Sequence, residues 1–414
     1  MVALGSVKVG GVYIYTPAIR HQLDKPMLKK ILIAAAALIT LVALIAFTFG
    51  PAYLEKGINR VFEHDPYIIS DEASALHSSL IAADLHSDTL LWNRDILHRG
   101  KRGHVDVPRL VEGGVAIQVF STVTKAPRDL NYEENTGDSD QITGVAILQR
   151  WPLRTWGSLY ERARYQAQRL DKAARRSDGA LVFLRTRADL DAVLGARASG
   201  KPVVGGLMAT EGSHALEGSL GNIQNLYDEG FRMMSLHHFF DNQLGGSLHG
   251  VSKAGLTDFG RAAIGEMDRL GIMIDVAHSS EAVVDQALAI STTPLIVSHT
   301  GVRGVCDLPR NISDERMQRI AAGGGLIGIG YWEGAVCDAT PAGIAKSIVY
   351  AVNLVGVEHV ALGSDYDGAT SVWFDTSELA ALTQALLNEG LSDDEIRAVM
   401  GGNQIRFFQQ YLPR

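Results

Sequence analysis

Cysteine is nearly absent: the chain of 414 residues carries two, Cys306 and Cys337. With no third or fourth thiol, a structural zinc knuckle built on cysteine is excluded. An excess of basic charge is missing as well. Lys and Arg number 38 against 46 Asp and Glu, a net charge of −8, so there is no basic stripe to grip phosphate backbones and nucleic acid is not an expected partner. Three catalytic signatures are also lacking. There is no G-x-S-x-G, no H-E-x-x-H and no Walker A loop. Gly323-Gly324-Gly325 and Gly328-Ile329-Gly330 look like a cofactor loop, but close packing inside a barrel strand accounts for them better. No internal repeat or low-complexity segment stands out. At 46% hydrophobic and 20% charged the composition is that of an ordered globular protein, long enough for one large domain plus an appendage.

One long apolar run is present. From Ile31 to Phe49 there is no charged residue, and only Thr40 and Thr48 interrupt the hydrocarbon. At about 1.5 Å per residue such a helix crosses roughly 28 Å, close to the thickness of a bilayer core. A buried core helix would show a polar stripe, which this run lacks. Five basic side chains and one acidic lie ahead of it, against 33 basic and 45 acidic behind, a net +4 followed by −12. Lys25, Lys29 and Lys30 abut the run, so the positive-inside rule leaves the N-terminus in the cytoplasm and sends the chain after Pro51 outward. The expected organisation is a basic cytoplasmic tail over 1–26, a transmembrane signal anchor over 27–50, a linker over 51–70 and the main domain over 71–414. A cleaved secretory signal is the alternative; the length of the run and the want of an A-x-A site favour retention. Met27, followed by Leu-Lys-Lys, is an alternative start. Outside the cytoplasm, Cys306 and Cys337 are expected to form a disulfide.

Behind the linker, short apolar runs alternate with helical stretches, the pattern of βα repeats. Candidate strands are Leu80–His86, Val115–Ser121, Pro202–Thr210, Phe231–Leu236, Ile272–Ala277, Pro294–Ser298, Gly325–Tyr331 and Glu358–Ser364. Candidate helices are Trp156–Arg176, Ile223–Glu229, Thr257–Leu270, Ser280–Ile290, Ser313–Ala322 and Pro341–Val355, with Thr257 and Ser313 as expected N-caps. Eight strands with helices between them fit a closed (β/α)₈ TIM-type barrel, preceded by one N-terminal transmembrane helix, better than an open doubly wound sheet. The insertion Lys125–Arg150 is polar and reads as a loop that would roof the mouth.

Ionisable residues recur at the C-terminal ends of these strands, the end where barrel enzymes carry their sites. The first strand closes on Asp84-Leu85-His86-Ser87-Asp88, and a period of two puts His86 and Asp88 on one side. The third ends in Glu211, the fourth in His237 and His238, the fifth in His278, the sixth in His299 and the eighth in Asp365. Any one of these alone is weak, since a single histidine after a strand is more often a hydrogen-bonded structural residue. Their shared phase across the strands is what favours a pair of divalent ions held by imidazole and carboxylate. The other histidines, His21, His64, His77, His98, His104, His214, His249 and His359, lack that placement and are assigned mostly to surface or core.

On these residues the chain resembles the membrane (renal) dipeptidase family of zinc metallopeptidases, within the amidohydrolase-like barrels. The likeness runs from about Ala83 to Phe407. It rests on Asp84–Asp88, Glu211-Gly212, Leu270–Ser279, Ser298-His299, Arg303–Cys306, Arg310-Asn311 and Gly363–Gly368, with His-x-Asp on the first strand typical of this family. The resemblance implies two zinc ions, one on His86 and Asp88, the other on His278 and His299, bridged by Glu211 and by a water or hydroxide that attacks the peptide bond. It implies dipeptide substrates, including those with a C-terminal D-residue, a homodimer, and a bridge at Cys306 and Cys337. Where the family has Leu-Thr-His-Asn, this chain has Leu236-His237-His238-Phe239, and the substrate-facing role goes to His238. Asp365 is expected to move the proton and Arg310 to hold the substrate carboxylate. No lipid-attachment tail follows Gln409, so anchoring falls to the N-terminal helix, with the barrel on the periplasmic face of a bacterial inner membrane. Two rival readings are a metal hydrolase of the same barrel acting on a lactone, phosphoester or other amide, and a tethered binding protein without catalysis.

Overall fold

Eight parallel strands define the site-bearing architecture of the computed structural model, which describes residues 4–17 and 25–414. They are β1 (Ala82–Ser87), β2 (Val115–Phe120), β3 (Val204–Thr210), β4 (Phe231–Ser235), β5 (Met273–Asp275), β6 (Ile296–Thr300), β7 (Leu326–Ile329) and β8 (Val360–Leu362). Each pairs with the next, in the order β8-β7-β6-β5-β4-β3-β2-β1. Just past the strand ends the ring is brought together by a parallel bridge between Ser87 and Tyr366, with Asp88 N donating to Tyr366 O at 2.9 Å. A further short strand, Leu181–Leu184, pairs with β3 beside its start. Neither this strand nor the helix Arg187–Ala198 that follows is among the elements expected from the sequence.

Period-two alternation explains why these runs close into a barrel. Ala82, Phe120, Met208, Met234, Ile274, Val297, Ile327 and Val360 share one apolar cluster with helix residues such as Leu110, Ile264, Ile320 and Ile348. Their immediate neighbours Ala83, Val119, Leu207, Met233, Met273, Ile296, Leu326 and Ala361 form a second. Adjacent residues therefore serve opposite faces, one toward the helices and one toward the lumen, and strands buried on both faces are those a parallel sheet requires. Each buried side chain of Leu size contributes about 1.5–3 kcal/mol.

The helices fall close to their expected places: Leu159–Arg176, Gly221–Asp228, Asp258–Leu270, Glu281–Ile290, Asp314–Ala322 and Pro341–Val355. Thr257 caps by accepting from Gly260 N at 3.0 Å. Ser313 occupies the N-cap position without a side-chain cap bond; its hydroxyl accepts from Arg316 instead. The insertion Lys125–Arg150 is not all loop, because Ile142–Leu148 is helical. Ile142 and Ala146, four residues apart on one face, bury against Leu91, Trp92 and Trp151. Cys306 and Cys337 form a disulfide with Cα atoms 5.5 Å apart.

The chain divides at Gly50 into two units. The first holds an antiparallel hairpin, Leu4–Val9 with Val12–Pro17, and most of a helix, Lys25–Ile58, whose apolar residues Leu32, Ile39 and Phe49 are exposed. This helix is long and apolar enough to cross a membrane. Part of the expected cytoplasmic tail, residues 1–3 and 18–24, lies outside the described residues. In the second unit, the stretch expected as a linker is structured at its start. The helix continues to Ile58, and Arg60–Val61 pairs in parallel with Ser371–Val372. Buried Glu55 explains the continuation, since it pairs with both Arg94 and Arg102.

Candidate active site

Glu211 sits at the centre of the barrel mouth, one residue past β3, and four imidazoles converge on it. Its Oε1 lies 3.6 Å from His86 Nε2, 3.3 Å from His278 Nε2 and 3.5 Å from His299 Nε2, and its Oε2 lies 3.4 Å from His238 Nε2. His86 Nε2 also faces Asp88 at 3.7 Å and Asp365 at 3.8 Å. All seven side chains are buried, and they descend from β1, β3, β4, β5, β6 and β8. The expected convergence therefore occurs. The donor atoms form two groups sharing Glu211: His86, Glu211, His299 and Asp365 in one, and Glu211, His238 and His278 in the other. This grouping puts His299 beside His86, where the family resemblance pairs it with His278.

The backbone is strained where it aims these groups. His278 has φ 60° and Asp365 φ 58°, the left-handed region that costs a non-glycine residue energy and recurs at functional sites. Gly368 makes room for Asp365, since a Cβ there would meet its Oδ1 at 2.2 Å. Asp84 and Asp275 hold the strand ends from below. Asp84 Oδ1 accepts from His86 N at 2.8 Å and from Ser364 N at 3.3 Å, while Asp275 Oδ1 accepts from Ala277 N and Ser298 N at 2.9 Å each.

Burial sets the charges. It pushes His86 down to about 3 and His238 to about 4, and holds His278 and His299 well below the usual imidazole range. Nearby Arg310 acts in the same direction on all four. The rings are therefore neutral, with lone pairs available. Burial lifts Asp88 to about 7, and burial together with repulsion from Asp88 lifts Glu211 and Asp365 well above the carboxylate range. His86 Nε2 and Asp88 Oδ1 are buried without hydrogen-bond partners, and His278 Nε2 faces His299 Nε2 at 2.9 Å. Converging lone pairs and orphaned acceptors are costly on their own and fit divalent cations, and imidazole with carboxylate is a donor set suited to zinc.

These groups open on a cavity of about 880 Å³ that Asp88, Glu211, His238, His278, Arg310 and Asp365 help to line. Arg310 is buried, donates to His299 O at 3.0 Å and lies over the Trp332 ring at 5.3 Å. Among the described residues no carboxylate comes within ion-pair distance of it. Its nearest polar neighbour otherwise is His278 Nε2 at 3.3 Å.

Residues 70–412 match the membrane dipeptidase family, Peptidase family M19. The chain belongs to that family. It is 27% identical over 373 residues to Dipeptidase 3 of Rattus norvegicus, covering 83% of this chain and 67% of that one. It is 32% identical over 322 residues to Dipeptidase verJ of Clonostachys rogersoniana, covering 73% and 82%. Its barrel is similar to the crystal structure of a metallopeptidase from Rhodobacter sphaeroides liganded with a phosphinate mimic of the dipeptide L-Ala-D-Ala. That superposition gives a TM-score of 0.65 at 23% identity, covering 80% and 99% of the two chains. As a member of the membrane dipeptidases, the protein is a hydrolase acting on dipeptides, of a metal-dependent family.

Within this dipeptidase site, His237 turns away from the cluster and meets Ser279 Oγ at 3.1 Å. Three further groups border the site without a place in the strand-end pattern: His249 and Asp367, both buried, and half-buried Tyr132. His249 arrives from a loop well past β4, stacks on Phe239 at 4.9 Å and lies edge-on to His278 at 5.3 Å. Tyr132 accepts from Trp332 Nε1 at 2.9 Å across the cavity. Asp367, two residues beyond Asp365, accepts from Thr89 Oγ1 at 2.8 Å and from Arg94. Only Asp367 had a sequence signal, the Asp-Tyr-Asp-Gly run itself.

Proposed function

We propose that the protein is a membrane-anchored, extracytoplasmic dipeptidase using two zinc ions, with dipeptides ending in a D-residue among its substrates. The observation that carries this is the single carboxylate of Glu211 set among four neutral imidazoles, beside buried Arg310, which has no carboxylate within ion-pair distance among the described residues. His86, Asp88, His278 and His299 would hold the ions with Glu211 between them. When bound, the ions supply Lewis acidity, which lowers the pKa of water toward neutrality.

The chain's own groups do the rest. Arg310, with a planar fork suited to a carboxylate, holds the substrate's C-terminus and so limits cleavage to very short peptides. His238 faces the cavity through Nε2 and, in the tautomer protonated there, donates to the oxygen on which negative charge grows. Asp365 takes the proton of the attacking water and passes it to the departing amine. A carboxyl-end side chain of either hand is compatible with recognition through the carboxylate, and the L-Ala-D-Ala mimic bound by the Rhodobacter sphaeroides peptidase supports the D-residue. The apolar helix with lysines ahead of it supports an anchor with the N-terminus in the cytoplasm and the barrel on the periplasmic face. A homodimer follows from the family resemblance.

The test is to purify the full chain in detergent, measure its metal, and assay L,L- and L,D-dipeptides beside lactone and phosphoester substrates. Two zinc ions per chain and hydrolysis confined to dipeptides are expected; less than one metal per chain, or turnover of the esters alone, refutes the reading. Arg310→Ala is expected to raise KM by roughly 10- to 100-fold, the worth of a charge-assisted hydrogen bond. Metal content should hold; equal loss of metal and affinity would contradict the clamp.

A further inference from the structure

The family match begins at residue 70, yet residues before it line the catalytic cavity. Leu54 and Ile58, on the last turns of the helix that leaves the apolar run, pack against an apolar cluster that includes Leu91, Trp92, Val123 and Ile142. All six side chains border the cavity that also holds Glu211 and Arg310. The segment is fastened firmly to the barrel. Between Leu54 and Ile58, buried Glu55 pairs with Arg94 at 2.5 Å and with Arg102, and Arg94 in turn pairs with Asp367. Asn59 Oδ1 accepts from Ala369 N at 2.8 Å, and Phe62 N donates to Val372 O at 2.8 Å. The added element is thus tied to the loop that carries Asp365.

Position around the barrel says what this wall can meet. Leu91 and Trp92 follow β1, Val123 follows β2, and Arg310 follows β6. In a ring of eight strands β2 stands opposite β6, so the apolar wall faces Arg310 across the mouth. Resting on the proposed carboxylate clamp, a dipeptide held there by its C-terminus points its N-terminal residue at the wall.

We propose that Leu54 and Ile58, contributed from outside the family segment, form a specificity wall that receives a large apolar side chain on the N-terminal residue of the dipeptide. A hydrophobic subsite discriminates by about 10- to 200-fold per methylene-sized difference. The wild-type full chain is therefore expected to favour Phe-Ala over Gly-Ala by at least about tenfold in kcat/KM.

The readout is the ratio of kcat/KM for these two dipeptides in the detergent-solubilised full chain. Leu54→Asn with Ile58→Asn is expected to lower that ratio about tenfold or more, because the wall becomes polar. Ile58→Trp, which fills the space instead, should lower it as well and remains informative if the double variant misfolds by circular dichroism. A ratio unchanged within about twofold in every variant that folds, or a wild type preferring Gly-Ala, overturns the inference while leaving the dipeptidase reading intact. A wild type that cleaves neither dipeptide overturns both.

Discussion

Glu211→Gln is expected to abolish turnover and strip the metal while leaving the fold standing. One carboxylate lies within 3.6 Å of four imidazole nitrogens, so its charge is the one both candidate ion groups share. An amide keeps the shape and loses the charge. Lewis-acid assistance is worth several kcal/mol, so at about 1.4 kcal/mol per tenfold the loss in kcat/KM should be on the order of 10³-fold or more. Metal content is expected to drop below one ion per chain. Full metal loading in the variant would show that Glu211 does not bridge.

The same substitution makes a prediction of opposite sign for stability. Burial and the neighbouring Asp88 and Asp365 raise the affinity of Glu211 for a proton above that of the unfolded chain. A raised carboxyl pKa means the folded state binds the proton more tightly, so its stabilising share is complete below the unfolded value near 4.5 and is lost as pH rises through the folded value. In the metal-free protein at pH 8, Glu211 is therefore a cost that Gln removes. Metal-free Glu211→Gln should melt at or above metal-free wild type at pH 8, with the gap closing toward pH 4.5. Added zinc should reverse the order by stabilising only the wild type. Thermal melts with and without chelator read this directly; a metal-free variant clearly less stable than wild type at pH 8 would mean the carboxylate is structural.

Why the cluster could be anticipated, and its surroundings could not, follows from how each is encoded. His86, Glu211, His238, His278, His299 and Asp365 all sit within a few residues of a strand's C-terminal end, so strand phase and barrel closure together fix their meeting place. Tyr132 reaches the same cavity and His249 packs beside His278, both from loops, where no periodicity links a residue to its neighbours in space. Leu181–Leu184 is too short an apolar run to separate from a helix fragment, and its pairing beside β3 is decided by tertiary contacts. Ile142–Leu148 was hidden in a polar insertion because only two of its side chains are buried. The segment after Gly50 read as a linker for a related reason: Glu55 is an ordinary surface residue in sequence terms, and only its pairing with Arg94 and Arg102 makes it an interior one.

Asp365→Asn is expected to lower kcat by about 10²- to 10⁴-fold, the usual worth of a positioned acid–base group, with KM changed by no more than a few-fold. The substitution suits the site. Asn tolerates the left-handed backbone that residue 365 adopts and matches the carboxylate in volume, so the loop held by Thr370 Oγ1 donating to the residue's carbonyl at 2.9 Å should keep its course. What Asn cannot do is accept and return a proton. Burial and Asp88 raise the proton affinity of Asp365 while Arg310 opposes them, the balance that a group taking a proton from water and giving it to an amine requires. The decisive companion measurement is metal content, because Asp365 also falls within the donor group of His86, Glu211 and His299. Retained metal with lost kcat assigns Asp365 to proton transfer. Metal lost in proportion to activity would instead make it a ligand, leaving the proton to another group at the mouth.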